Sequence, residues 1–131
     1  MITIKNINND FVYTYYKNWR NFKVIPFSED NVTLAAKMKD GSVVIGESEI
    51  GISIVGRNNI NLKNLVIENT SVGVYIEFSH SISIEYMTLN ENEQAISIYR
   101  SSELIVKNNL IDSSKYSAVG IFVFDSGKVC I

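Results

Sequence analysis

The sequence predicts an all-β fold, a right-handed parallel β-helix of about four rungs with a 22-residue period. Three observations carry that prediction. From Gly51 onward the chain repeats, so that Ile60, Ile82 and Leu104 are 22 apart, as are Leu62, Ile84 and Val106. Within each repeat, apolar and polar residues alternate over short runs broken by Asn, Ser and Gly, the period-two signature of strands joined by turns. Gly51, Gly73, Ala95 and Gly120 place a small residue just before the first strand of each rung, where the backbone must turn sharply or approach a neighbour. A coil of about three short strands per turn, each pairing with its equivalent one rung away at ~4.8 Å, accounts for all three.

The chain reads as a single domain over residues 1–131, with three stretches. Residues 1–27 are rich in aromatics (Phe11, Tyr13, Tyr15, Tyr16, Trp19, Phe22, Phe27), and alternation in ITIKNI and FVYTYY favours hairpin strands. Phe11, Tyr15 and Trp19 at i, i+4, i+8 also fit an amphipathic helix. In residues 28–50, Ser28 to Asn31 followed by VTLAAKMK and Asp40-Gly41 predicts a short N-capped helix that covers the open first rung and leads into the strand SVVIG. The competing reading makes NVTL another strand. Residues 51–131 are the rungs.

Aligned by the repeat, Ile52, Val74, Ile96 and Ile121 face inward from the first strand, followed by Ile54, Ile76, Ile98 and Val123. The second strand contributes Ile60, Ile82, Leu104 and Val129, then Leu62, Ile84, Val106 and Ile131, and the third contributes Ile67, Leu89 and Ile111. The last rung needs a three-residue insertion near Ser113 to Ser117. Lys63, Glu85 and Lys107 stack with alternating sign on the outside, which supports the same register.

These motifs (small residue, I-x-I, polar turn, I-x-L/I/V, Asn, x, I) resemble the right-handed β-helix repeats of the pectin-lyase-like superfamily over residues 51–131, about three fifths of the chain. The resemblance implies the architecture. It spans polysaccharide lyases and hydrolases, phage tail proteins, adhesins and non-enzymatic repeat modules, so it selects no single function. The superfamily's NTD, GHG and RIK signatures are absent.

Twelve basic and 14 acidic residues give a net charge of -2 and no basic stripe to neutralise phosphates, which argues against nucleic acid. Cys130 is the single cysteine and His80 the single histidine, so the sequence carries neither a disulfide nor a Cys/His zinc motif, and no cofactor is expected. MITIKNINND lacks a basic start and apolar core of a signal peptide, and no run approaches the ~18 apolar residues of a membrane span. The expected location is the cytoplasm.

No catalytic constellation stands out, and the chain is expected not to be an enzyme. Glu68, Asn90 and Asp112 share one column, with Glu91 and Glu93 nearby, and Glu68 and Asp112 are two rungs or about 9.6 Å apart, at the outer edge of an inverting pair. They fall in turns, where such residues are ordinary solvated punctuation. His80 likewise aligns with Asn58, Ser102 and Gly127 as a solvated turn residue.

The outward columns Ser53, Tyr75, Ser97, Phe122 and Val55, Glu77, Tyr99, Phe124 instead place Tyr75, Tyr99, Phe122 and Phe124 on one exterior face. Such a patch marks an interface or is covered by the chain's own aromatic segment. Val129, Cys130 and Ile131 form a second candidate surface, an open edge where a second copy would stack, with a homodimer favoured. The resulting expectation is a non-enzymatic protein-binding module, of the kind a phage or mobile element uses to inhibit a host system, as anti-CRISPR proteins do. A carbohydrate-binding or polysaccharide-degrading protein and a structural subunit of a fibre or tail are the alternatives.

Overall fold

Alternating Val, Ile and Leu positions give strands wherever the repeat places them. The computed structural model describes the backbone of residues 2–6, 11–15, 25–26, 30–36 and 44–131 and the side chains of residues 30–35 and 49–131. Its strands are β1 (Ile2–Asn6), β2 (Phe11–Tyr15), β3 (Ile25–Pro26), β4 (Val32–Ala36), β5 (Val44–Val55), β6 (Asn58–Lys63) and β7 (Val66–Glu77). They continue with β8 (His80–Glu85), β9 (Thr88–Asn90), β10 (Gln94–Tyr99), β11 (Ser102–Lys107), β12 (Leu110–Asp112), β13 (Val119–Phe124) and β14 (Gly127–Cys130). The described residues are all-β and wind into a parallel solenoid of about four turns.

One face runs β14-β11-β8-β6-β4, all parallel, and β1 then pairs antiparallel with both β4 and β2. The other sheet carries two faces, because β5 and β7 are long enough to serve both. Their first halves align with β9 and β12, as in Ile45, Ile67, Leu89 and Ile111, and their second halves align with β10 and β13. Rungs repeat every 22 residues until β11 meets β14 and β10 meets β13, where the offset is 25, as the insertion near Ser113 to Ser117 requires.

The inward columns are the core up to the last rung, where Ile111, Ile121 and Val129 are partly buried and Val123 and Ile131, expected inside, are exposed at the open end. Ile52, Ile54, Ile60, Leu62, Ile67, Ile76, Ile84, Leu89, Ile96 and Ile98 have no exposed surface. Each such aliphatic side chain contributes roughly 1.5–3 kcal/mol before chain entropy is subtracted. The small-residue column has a steric cause: a Cβ on Gly73 would lie 2.5 Å from the carbonyl oxygen of Ala95 in the next rung.

The capping helix predicted for VTLAAKMK is not what these residues form, since Val32–Ala36 is a strand. Val32 stacks in register on Ile60 and Leu34 on Leu62, both nearly fully buried, while Thr33 turns outward and meets Asn61. Period-two burial with a parallel partner satisfies backbone and side chains together, and it outweighs the i,i+4 spacing of Leu34 and Met38. This turn extends the solenoid one coil ahead of Gly51, at an offset of 28 where β4 meets β6 and 27 where β3 meets β5. Tyr16, Trp19, Phe22 and Phe27 lie outside the described residues.

Between strands the backbone turns at left-handed residues that recur once per rung. Gly56, Phe78, Arg100 and Asp125 have φ of 66°, 51°, 46° and 49°, and Asn59, Ser81, Glu103 and Lys128, the second residues of β6, β8, β11 and β14, form a second left-handed column inside the strands. Asn64, Tyr86 and Asn108 form a third. Side chains tie these corners together. Ser79 Oγ accepts from Arg57 N (3.1 Å), Ser101 Oγ from Ser79 N (3.0 Å) and Ser126 Oγ from Ser101 N (3.1 Å), while each hydroxyl donates to a carbonyl two residues before it. Asn92 accepts from Thr70 N (3.1 Å) and donates to Ile67 O (3.1 Å). Asn109 makes the same pair of bonds to Met87 N (2.9 Å) and Ile84 O (3.0 Å).

Two substitutions of opposite sign test this description by urea unfolding. Ile76→Ala, in the middle of the core, is expected to destabilise by about 2–5 kcal/mol. Tyr86→Gly, at φ 54° with an exposed side chain, is expected to stabilise by about 1 kcal/mol by removing left-handed strain.

Candidate functional site

Outward positions of the first strand in each rung lie one strand spacing apart, so residues 22 or 25 apart in sequence become neighbours. Tyr75 on β7, Ser97 on β10 and Phe122 on β13 stand in one column, and Val55, Glu77, Tyr99 and Phe124 stand in the next. The structure thus brings together all four aromatics that the sequence placed on this face. Tyr99 is the hub: its ring centroid lies 5.5 Å from Tyr75, 5.6 Å from Phe122 and 6.3 Å from Phe124, with tilts of 36°, 43° and 48°. Those separations and tilts are the preferred packing of aromatic pairs.

Ser97 explains why the rings can converge. It points to the exterior yet has no exposed surface, and its hydroxyl donates to Gln94 Oε1. A small residue between Tyr75 and Phe122 leaves room for both rings to lean toward Tyr99. The cluster remains open to solvent on its far side, with Phe122 37% and Phe124 50% exposed, and Val55 exposed at the other end of the second column. At the adjoining corner the Arg100 guanidinium lies 5.6 Å over the Phe78 ring. Burial, and then the Glu77 carboxylate that accepts a hydrogen bond from the phenol, push the Tyr75 pKa up, and Arg100 opposes them.

The other sequence candidates lie elsewhere. Val129 is half-buried and Cys130 and Ile131 are exposed, all at the last rung, with Cys130 in register with Ile105. Glu68, Asn90 and Asp112 do share a column across β7, β9 and β12. Among the described residues no ion pair joins them to a basic side chain. Glu91 serves the insertion loop, accepting from Ser114 N at 3.2 Å and Ser114 Oγ at 2.8 Å. Lys107 reaches Glu85 at 3.9 Å, the charge ladder read from the sequence.

His80 is tied more closely than a solvated turn residue. Its Nδ1 lies 2.7 Å from Ser102 Oγ and its Nε2 3.2 Å from Glu103 Oε2, while Lys128 Nζ approaches the other oxygen of Glu103 at 3.7 Å. No sequence signal marks this cluster, because Glu103, left-handed at φ 56°, is not a residue type that favours that region.

The fold agrees with what the chain is similar to. Residues 4–131 match a protein family described as periplasmic copper-binding protein (NosD). The chain belongs to the NosD family. No curated protein and no solved structure matches it. Membership confirms the β-helix that the pectin-lyase-like resemblance implied. It also corrects the cytoplasmic location expected from the N-terminal residues, since the NosD family is described as periplasmic. A phage-borne or anti-CRISPR-like inhibitor finds no support in this membership and is set aside.

The electrostatics of the face give a direct check. A phenol whose pKa is raised in the folded state holds its stabilising contribution below the unfolded value and loses it as pH climbs toward the folded one. Tyr75 is therefore expected to titrate above the ordinary tyrosine range, with stability falling above about pH 10. Tyr75→Phe should remove one tyrosinate step above the ordinary range from the absorbance titration and flatten that fall.

Proposed function

We propose that this chain is a non-enzymatic binding module of the NosD family that docks a partner protein on the aromatic face formed by Tyr75, Tyr99, Phe122 and Phe124. The observation that carries the reading is the ring cluster around Tyr99, closely packed on one side and exposed at Phe122 and Phe124 on the other. Rings of this kind are enriched in the centres of protein interfaces, where a few of them supply most of the affinity. Here Tyr75 and Tyr99 project from β7 and β10, each paired on both sides, so these two rings have little conformational freedom left to lose on binding, while Phe122 and Phe124 project from the edge strand β13.

Charge at the margin fits the same partner class. Glu77, Arg100 and Asp125 border the rings with both signs, as the polar rim of a protein interface does. Tilts of 36° to 48° give the rings no common plane, which disfavours a flat platform for stacking sugars and favours an irregular protein surface. The carbohydrate reading is therefore second.

Site-directed photo-crosslinking in the periplasm tests the proposal. A benzophenone amino acid at Phe124 is expected to give a discrete protein adduct that the same probe at Lys107, on a different sheet, does not give. Phe122→Asp should abolish the adduct, and Tyr99→Ala should weaken binding of the identified partner at least about tenfold. Equal adducts from both positions, or an adduct indifferent to Phe122→Asp, would contradict the assignment.

A further inference from the structure

We infer that this member of the family takes no copper ion of its own. Copper(I) requires thiolate, thioether or imidazole donors, and copper(II) requires imidazole and oxygen donors in a tetragonal set. The entire sequence offers one histidine, one cysteine and three methionines for that purpose. A site would have to gather at least two or three of them.

Met1 and Met38 lie outside the described residues, and among the described residues the structure keeps the remaining three donors apart or occupied. Met87 is 1% exposed and packs in the hydrophobic core, where its thioether faces aliphatic side chains. His80 starts β8, while Cys130 ends β14 two rungs away and farther along the strand direction, since the partner of His80 is Ser102 and that of Ser102 is Gly127. Two rungs alone amount to about 9.6 Å, several times a metal–ligand bond length. Both ring nitrogens of His80 have partners, Ser102 Oγ at 2.7 Å and Glu103 Oε2 at 3.2 Å.

The carboxylate that could join His80 is also engaged. Lys128 Nζ sits 3.7 Å from Glu103 Oε1, so an ammonium already lies beside the oxygen a cation would use, and its charge opposes a second one. Cys130 lines a shallow hollow of about 390 Å³ whose other polar walls are Asn59, Asn61, Ser81, Ser83, Glu103 and Lys128. These are hard oxygen donors, amides and a cation, the wrong company for a thiolate–copper bond. Among the described residues no three His, Cys, Asp or Glu side chains gather closely enough to hold any metal.

The inference is independent of the aromatic face and fails separately from it. The test is competition for copper between the full 131-residue chain, its thiol kept reduced, and a chromogenic copper(I) chelator, with copper(II) followed in parallel by electron paramagnetic resonance. The expected result is that the chain withdraws no half or whole equivalent of either ion, shows no copper–thiolate charge-transfer band and keeps its melting temperature unchanged by one equivalent of copper. His80→Ala and Cys130→Ser should leave all three readouts as they are. Uptake of a half or whole equivalent, whichever variant loses it, would overturn the inference, and a half equivalent lost in Cys130→Ser would show two chains sharing one ion.

Discussion

A parallel coil must satisfy every backbone amide and carbonyl from the rung above or below, including at the corners where strand pairing stops. The rest of this structure depends on how the corners meet that demand. Within strands the ladder does it automatically, because residues 22 apart stand side by side. At the corners, Ser79, Ser101 and Ser126 pass bonds from rung to rung in one line, and Asn92 and Asn109 each bracket an amide and a carbonyl of the preceding rung. A buried donor or acceptor left without a partner costs about 1–3 kcal/mol, so each bracket matters more than any surface ion pair on the outside.

Fixed corners fix the columns, and the columns make the candidate site. Tyr75, Tyr99, Phe122 and Phe124 are separated by up to 49 positions in the chain, yet register alone sets them within ring-packing distance. Ser97 supplies the space beneath them. Function of this kind does not need a cleft or a perturbed acid–base pair; it needs a rigid grating on which side chains are hung at a constant spacing. Members of one fold can therefore differ in function by changing the outward columns alone.

Much of this grating was legible in the sequence because two periods coincide there, alternation within strands and 22 residues between them. Ile52 to Val123, Ile60 to Val129 and the insertion before Gly120 follow from counting. Val32–Ala36 was placed second to a helix, as the alternative strand NVTL that the structure shows, because its copy lies 28 residues on, outside the repeat, and because Asp30 and Gly41 look like the two ends of a helix. The left-handed corners escaped for a different reason. Phe78, Tyr86, Glu91 and Arg100 are not the residues that announce positive φ, and only the pairing on both sides holds them there. His80 was read as solvated because it aligns with the turn residues Asn58, Ser102 and Gly127, and alignment alone does not show that Ser102 and Glu103 of the next rung close on its ring. Location escaped as well, since the outward residues of a β-helix obey the same solvation rules in either compartment.

The dependence of the fold on its corner brackets is most directly measured by amide hydrogen exchange in the native protein and in Asn92→Ala. The amides of Thr70, Met87, Ser79 and Ser101, which donate to side chains rather than to a strand, should exchange as slowly as the strand amides around them. Asn92→Ala should release Thr70 and lower protection in the neighbouring rungs while leaving Met87, held by Asn109, protected. Fast exchange at these four amides in the native protein, or slow exchange at Thr70 in the variant, would show that the rungs are held in register by the strand ladders alone.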